Sequence, residues 1–401
     1  MLTKTCQLCG SKKLNLVLDL GHQPLADTFL TPVQLDGGIM TYPLRLLLCE
    51  NCGYVTLQYV VPASERYQAN DYSYTSANSP VAIAHFEELA KQVSEKYNVS
   101  SKDLVVDVGS NVGTLLAAFK RITGGRVCGV EPAANIAKIA QKQGVPTVND
   151  FFNQQCVKRI LKEGQAKVIT ATNVFNHVSD LNSFMKDISD LLTADGVFVF
   201  EVPYLLTLME NYLFDTVYLE HVSYFGLKPL VKFFKKFNLS IAYAEQSDYM
   251  GGSIRVYVSK SQTPGDGLQA LLTREEEAGI YQAATYANFQ KKIEAFKFDL
   301  VSRIYELKAR GEKIIGIGAA TKGNTLLNYC GLDHTLLDFV TDASPLKQGK
   351  FTPGSNIPIK SDADISPEIR YGLILPWNIA DFLVGKLNHL KLEFIIPKIK
   401  K

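Results

Sequence analysis

With 401 residues, the chain is about 2.7 times the ~150 residues of an average domain, so two or three separately packed units are expected. A hydrophobic content of 46% against 20% charged residues excludes a disordered or low-complexity chain. Lys and Arg number 42 and Asp and Glu 40, and no run of five basic residues occurs. The basic footprint of a nucleic-acid binder is therefore missing, and the expected partner is small.

No stretch of about 18 apolar residues offers a membrane span, and the opening MLTKTCQLCG lacks the basic, apolar and small-residue order of an export signal. The cytoplasm is the expected address, with cysteines reduced. Four of the seven form two C-x-x-C pairs, Cys6 with Cys9 and Cys49 with Cys52, each pair followed by a glycine. Two thiolates at i and i+3 can converge on one ion, and four close a tetrahedron with no open position, so a structural Zn2+ site is expected. The long spacer between the pairs carries LDLGHQPLADTFL, an apolar segment expected to pack on the next domain, with His22 structural and not a ligand.

DLVVDVGSNVGTLLAAFK reads as a buried strand, a glycine turn and a helix. Gly109 and Gly113 let the backbone approach a ligand at the helix N-terminus, Asn111 lies between them in the same turn, and Asp107 ends the strand. A second strand, RVCGVEP, ends in Glu131, at the spacing of an acid that binds ribose hydroxyls. The spacing favours an adenosine cofactor, although a glycine turn alone serves NAD as well. PTVNDFF, with Asp150, adds a polar, acidic and aromatic cluster suited to adenine. AKVITATNVFNHV gives a further strand ending in Asn173, followed by His177, an order that resembles class I methyltransferases. GVFVFEVP, SIAYAEQS and SIRVYVSK would complete a mostly parallel sheet with an antiparallel edge. Beyond helices rich in Glu and Lys, KIIGIGAATKGNTLL opens a second α/β unit. There the glycines, Lys322 and Asn324 could meet a diphosphate or sugar, and a Pro/Gly-punctuated loop brings Lys347 and Lys350. Solvated lysines on a purely structural domain are the plain alternative.

Four blocks together, the knuckles with LGHQPLADTF, DVGSNVGT, YLEHVSYF and GIGAATKGNTLLNYCG, resemble the nucleotide-sugar C-methyltransferases of deoxysugar pathways over nearly the whole chain. In that family the cofactor turn usually carries an acid at the place of Val112. The resemblance implies S-adenosyl-L-methionine as cofactor. The implied substrate is a nucleotide diphosphate-linked 4-keto-deoxysugar, methylated beside the ketone, at C3, after a base removes the α-proton. It implies His221 as base, with Tyr218, Glu220, Tyr72 and His177 as substrate or enolate contacts. It also implies a C-terminal domain that helps bind the sugar nucleotide.

On the residues alone, His221 is as well explained as a packed core histidine. Tyr72, Tyr74 and Tyr67 lie in a loop-like segment and could merely cover the domain. O- or N-methylation of a similar sugar is an alternative. A zinc-module nucleic-acid-binding protein is a remoter one, opposed by the near-neutral charge. The expected architecture is α/β: a zinc-binding domain at 1–65, a Rossmann-like class I methyltransferase domain with connecting helices at 66–300, and a Rossmann-like α/β domain at 301–401. Monomer or oligomer is left open.

Overall fold

The structure is a computed structural model and describes residues 1–68, 75–77, 80–260 and 265–399. Tyr72 and Tyr74 lie outside the described residues. Near the N-terminus, β1 (Leu14–Gln23), β2 (Tyr42–Cys49) and β3 (Val55–Leu57) form an antiparallel meander. Their alternating leucines turn Leu18, Leu20, Leu46 and Leu48 inward, each at most 3% exposed.

The middle sheet begins with β4 (Leu104–Val108), β5 (Arg126–Val130), β6 (Thr147–Val148), β7 (Ala166–Thr172) and β8 (Leu192–Pro203). These five are mutually parallel. Near-continuous apolar runs in β4, β7 and β8 match burial on both faces, as a parallel sheet between helices requires. A two-residue strand, β9 (Ser223–Tyr224), leaves this unit and pairs antiparallel with β3, completing a four-stranded sheet in the order β1-β2-β3-β9. β10 (Ser240–Ser247) and β11 (Ser253–Ser259) then add the expected antiparallel edge, giving the order β10-β11-β8-β7-β4-β5-β6.

Two helices, Asp266–Glu277 and Ala283–Ala309, lead to a second parallel sheet. It contains β12 (Ile314–Ile317), β13 (Val340–Thr341), β14 (Ile359–Lys360), β15 (Tyr371–Ile374) and β16 (Glu393–Ile395), in the order β14-β13-β12-β15-β16. One cluster of buried side chains runs through all three sheets, from Leu46 through Phe175, Phe200 and Phe225 to Leu326. The spacer LDLGHQPLADTFL, expected to pack on the next domain, meets the middle unit through the Asp27 amide on Glu220 but also packs on the C-terminal unit, through a bridge between Leu30 and Phe351 and the Asn324 amide on the Ala26 carbonyl. No helix among the described residues is long and apolar enough to cross a membrane.

Glu275, fully buried on the first connecting helix, ties that helix to the middle unit. One oxygen accepts from Tyr204 Oη at 2.8 Å and from the Leu227 amide at 2.6 Å, and the other from the Lys228 amide and the Tyr281 hydroxyl. Two of these donors are the otherwise orphaned first amides of the helix Leu227–Lys235. Glu275→Ala strands the Tyr204 hydroxyl and the Leu227 amide and leaves the Lys228 amide only the Tyr281 hydroxyl, so it should lower unfolding free energy by about 3 kcal/mol in thermal or urea unfolding.

Candidate active site

The four cysteines meet at one point. Their Sγ atoms all lie within 4.8 Å of one another, with Cys6 to Cys52 and Cys9 to Cys49 each 3.6 Å apart. A tetrahedron with Zn–S bonds of ~2.3 Å has edges of about 3.8 Å, so the donor set fits Zn2+. The metal contributes folding energy there and has no coordination position left for substrate. His22 is exposed and outside the set.

At the carboxyl end of the middle sheet, the turn after β4 needs its glycines. Gly109 has φ +67 and a Cβ there would lie 2.4 Å from Val174 Cγ2; Gly113 has φ +84 and would lie 2.8 Å from Val145 Cγ2. Glu131, just after β5, accepts the Asn111 amide at 3.0 Å on one oxygen and the Ala133 amide at 2.9 Å on the other. Each oxygen keeps a second lone pair, which fits two ribose hydroxyls. Asp107 Oδ1 accepts from Thr170 Oγ1 at 2.6 Å. Burial pushes both carboxyls up to about 7. The Ser110 hydroxyl is buried beside them without a partner. Val112 is turned inward with Ala133 and Ile136, so an apolar contact stands where an acid was expected from the family. Asn111 Oδ1 accepts the Ser76 amide, so residue 76 folds over the turn. Asn173 takes φ +55 and donates its amide to the Glu201 carbonyl. Asp150 caps the Phe151 amide at 2.8 Å and lies 3.9 Å from Arg159.

The YLEHVSYF block forms a second focus. The rings of Tyr218 and His221 lie 3.8 Å apart, and His177 meets His221 edge-on at 4.8 Å. His221 is 4% exposed, and its Nδ1 donates to the Thr216 carbonyl at 2.9 Å, which assigns the lone pair to Nε2. Burial lowers its proton affinity to about 3, and the Lys322 and Arg66 charges act in the same direction. The imidazole is therefore neutral at pH 7. Burial likewise holds His177 well below the usual range, and its Nδ1 lies 2.5 Å from Tyr67 Oη. Glu220 does not bond His221. Its Oε1 accepts the Asp27 amide at 2.9 Å and its Oε2 is buried without a partner. Burial first, and Asp27 second, push the Glu220 carboxyl up to about 8.

The C-terminal unit reaches the same place. Thr321 Oγ1 donates to Asp27 Oδ1, and the Lys322 Nζ is buried without a hydrogen-bond partner. Asn324 spends its amide on Ala26 while its Oδ1 is unpartnered. Lys347 is turned inward, donating to the Ala319 carbonyl at 2.7 Å, and Lys350 is half-buried in the neighbouring turn. Sequence reasoning missed Asp27, Arg66, Asp215 and Trp377. It also placed Tyr67 in a loop, whereas it ends the short helix Ala63–Tyr67. Arg66 donates to the backbone carbonyls of both His177 and Glu220.

Comparison with known proteins agrees with this layout. Family models for a zinc binding domain, a methyltransferase domain and a C-methyltransferase C-terminal domain match residues 6–67, 84–244 and 248–397. The C-methyltransferase NovU of Streptomyces niveus is 33% identical across 98% of this chain and 94% of its own. The chain belongs to the C-methyltransferase family. This C-methyltransferase uses S-adenosyl-L-methionine on a class I Rossmann-like fold and carries a zinc-binding module. A ribosomal RNA large subunit methyltransferase E of Methanosarcina acetivorans is also 33% identical, over 23% of this chain and 33% of its own. The solved S-adenosylmethionine-dependent methyltransferase from Clostridium acetobutylicum aligns with 46% of this chain and 92% of its own, at 15% identity and a TM-score of 0.36.

Two outcomes are expected of the purified enzyme. Metal analysis should find one zinc per chain, and Cys49→Ser should lose the metal and the cooperative unfolding of the module together. Glu131→Ala should weaken S-adenosylmethionine binding at least tenfold by calorimetry, because two hydroxyl acceptors and two backbone ties go at once.

Proposed function

We propose that the enzyme C-methylates a nucleotide diphosphate-linked 4-keto-deoxysugar at the carbon beside the ketone, C3, through an enolate. The observation that carries this reading is a neutral, buried His221 with Nε2 free to accept a proton, set against a phenol and a carboxyl group that retains its proton up to about pH 8. O-methylation needs only the base; carbon acidity needs donors for the developing oxyanion as well.

His221 Nε2 takes the α-proton. A base of such low proton affinity can do so only where the enolate charge is met as it forms, and Tyr218 Oη and the protonated Glu220 carboxyl supply the donors. His177, held by Tyr67, and Tyr72 are proposed contacts to the same oxyanion or to the sugar. Asp107, Gly109, Asn111, Gly113, Glu131, Asp150 and Asn173 are proposed to hold the cofactor, which supplies the electrophilic methyl group to the nucleophilic carbon. Lys322, Asn324, Lys347 and Lys350 are proposed to hold the sugar nucleotide. The orphaned polar groups of Lys322, Asn324, Thr341 and Ser344, at or beyond the carboxyl ends of β12 and β13, support this, since open α/β sheets bind ligands there. The reading places the enzyme in the cytoplasm, acting on a small molecule and not on nucleic acid.

His221→Asn should keep both ligands bound while kcat falls by about 10²–10⁴, and solvent deuterium should no longer enter the carbon beside the ketone. Wild-type exchange in that variant would place the base elsewhere, and methylation with no exchange at any carbon in the native enzyme would favour O- or N-methylation. The pH profile has a definite sign. His221 stays neutral down to about pH 3, so it adds no acidic limb above pH 5; Glu220 loses its proton as pH rises through about 8, so kcat should fall there. In Glu220→Gln that alkaline limb should vanish.

A further inference from the structure

Two opposite charges beside His221 are buried without the partners that burial demands. Asp215, in the turn Phe214–Thr216, is 1% exposed; its Oδ2 accepts from Trp377 Nε1 at 2.7 Å, while its Oδ1 has no hydrogen-bond donor of good geometry among the described residues, although the nearby Asp215 and Thr216 amides favour the carboxylate. Lys322 Nζ is likewise enclosed and has no hydrogen-bond partner among the described residues; it lies 5.1 Å from the centroid of the Trp377 ring. The two groups sense each other, since the Lys322 charge is the main influence opposing the effect of burial on Asp215, yet no hydrogen bond joins them. The same lysine charge reaches His221, and Asp215 precedes by one residue the Thr216 whose carbonyl fixes the His221 ring. The lysine end also has a roof without a side chain: Gly251, at φ +90, would place a Cβ 3.9 Å from Lys322 Nζ and 3.3 Å from Asn378 Cβ.

An unpaired buried carboxylate oxygen and an unpaired buried ammonium are each costly, and such groups in native proteins mark a missing partner. A single group that served both would have to donate to one and accept from the other. A ketone only accepts and an ammonium only donates; a hydroxyl does both through one oxygen. Resting on the keto-sugar reading above, we propose that Asp215 and Lys322 clasp one hydroxyl of the acceptor sugar, which donates to Asp215 Oδ1 and accepts from Lys322 Nζ, and so select a hydroxylated substrate. Trp377 is a positioning residue whose indole N–H aims the carboxylate.

The test uses the full-length zinc-loaded enzyme, S-adenosylmethionine, and a set of nucleoside diphosphate 4-keto-6-deoxyhexoses with analogues that each lack one hydroxyl. For the native enzyme, one deoxy analogue should lose on the order of 10³-fold or more in kcat/KM, because its absence leaves both charges unpaired. Asp215→Ala should penalise the parent sugar at least 10²-fold more than it penalises that analogue, a coupling that a merely structural role would not produce. Lys322→Met, close in shape, supplies the same comparison if Asp215→Ala does not fold, and Trp377→Phe should show a smaller coupling in the same direction. Equal penalties on parent and analogue in the folded variants would overturn the clasp alone. If the native enzyme binds S-adenosylmethionine but methylates no member of the set, the keto-sugar reading falls and the clasp falls with it.

Discussion

The pairing of β3 with β9 is the constraint on which the active site depends. β9 begins two residues after His221, and its only neighbour in the sheet order is a strand of the zinc module. The Leu57 amide and the Thr56 hydroxyl both bond the Val222 carbonyl, and Tyr54 Oη lies 2.5 Å from Ser223 Oγ. All of these groups are buried, so the segment from Tyr218 to Tyr224 cannot move without stranding them. Cys49 ends β2 and Cys52 closes the turn that leads into β3, so the metal that closes the two knuckles also fixes the strand that holds the histidine segment. A closed zinc site thereby sets the position of the segment that carries the proposed base.

Asp27 carries the same logic into the third unit. Its amide meets Glu220 and its carboxylate meets Thr321, so one spacer residue joins a carboxyl of the middle unit to the start of a C-terminal helix. The negative charge next to Glu220 favours the protonated acid, which suits a donor and not a base. Arg66 opposes that tendency and depresses both histidines, leaving neutral imidazoles beside a neutral acid. Burying so many polar groups is costly, and the continuous apolar core through all three sheets is what makes it affordable.

Features set by local pattern were legible in the sequence. The two knuckles, the strand, turn and helix around Gly109 and Gly113, and Glu131 at the end of the next strand follow from spacing and periodicity, and the antiparallel edge from the resemblance to class I methyltransferases. Those created by distant partners were not. β9 is two residues long and exists because β3 lies beside it. Asp27 reads as an ordinary loop acid until Glu220, 193 residues away, takes its amide. Asp215 and Trp377 are 162 residues apart, and no periodicity links them. Tyr67 ends a helix of five residues, too short for a periodic signal. Lys347 looks like a solvated cation, but its stem lies along the spacer, with Nζ 5.0 Å from the Phe29 ring centroid, and its charge turns inward to a carbonyl.

The dependence of the His221 segment on the zinc module is tested most directly by hydrogen exchange at the amides of residues 216–225, with and without zinc. Chelation should release protection across 44–57 and 216–225 together, while the β4 and β5 amides, which pair within the middle sheet, stay protected. Protection at 216–225 that survives loss of protection at 44–57 would contradict the account, because the histidine segment would then be held without β3.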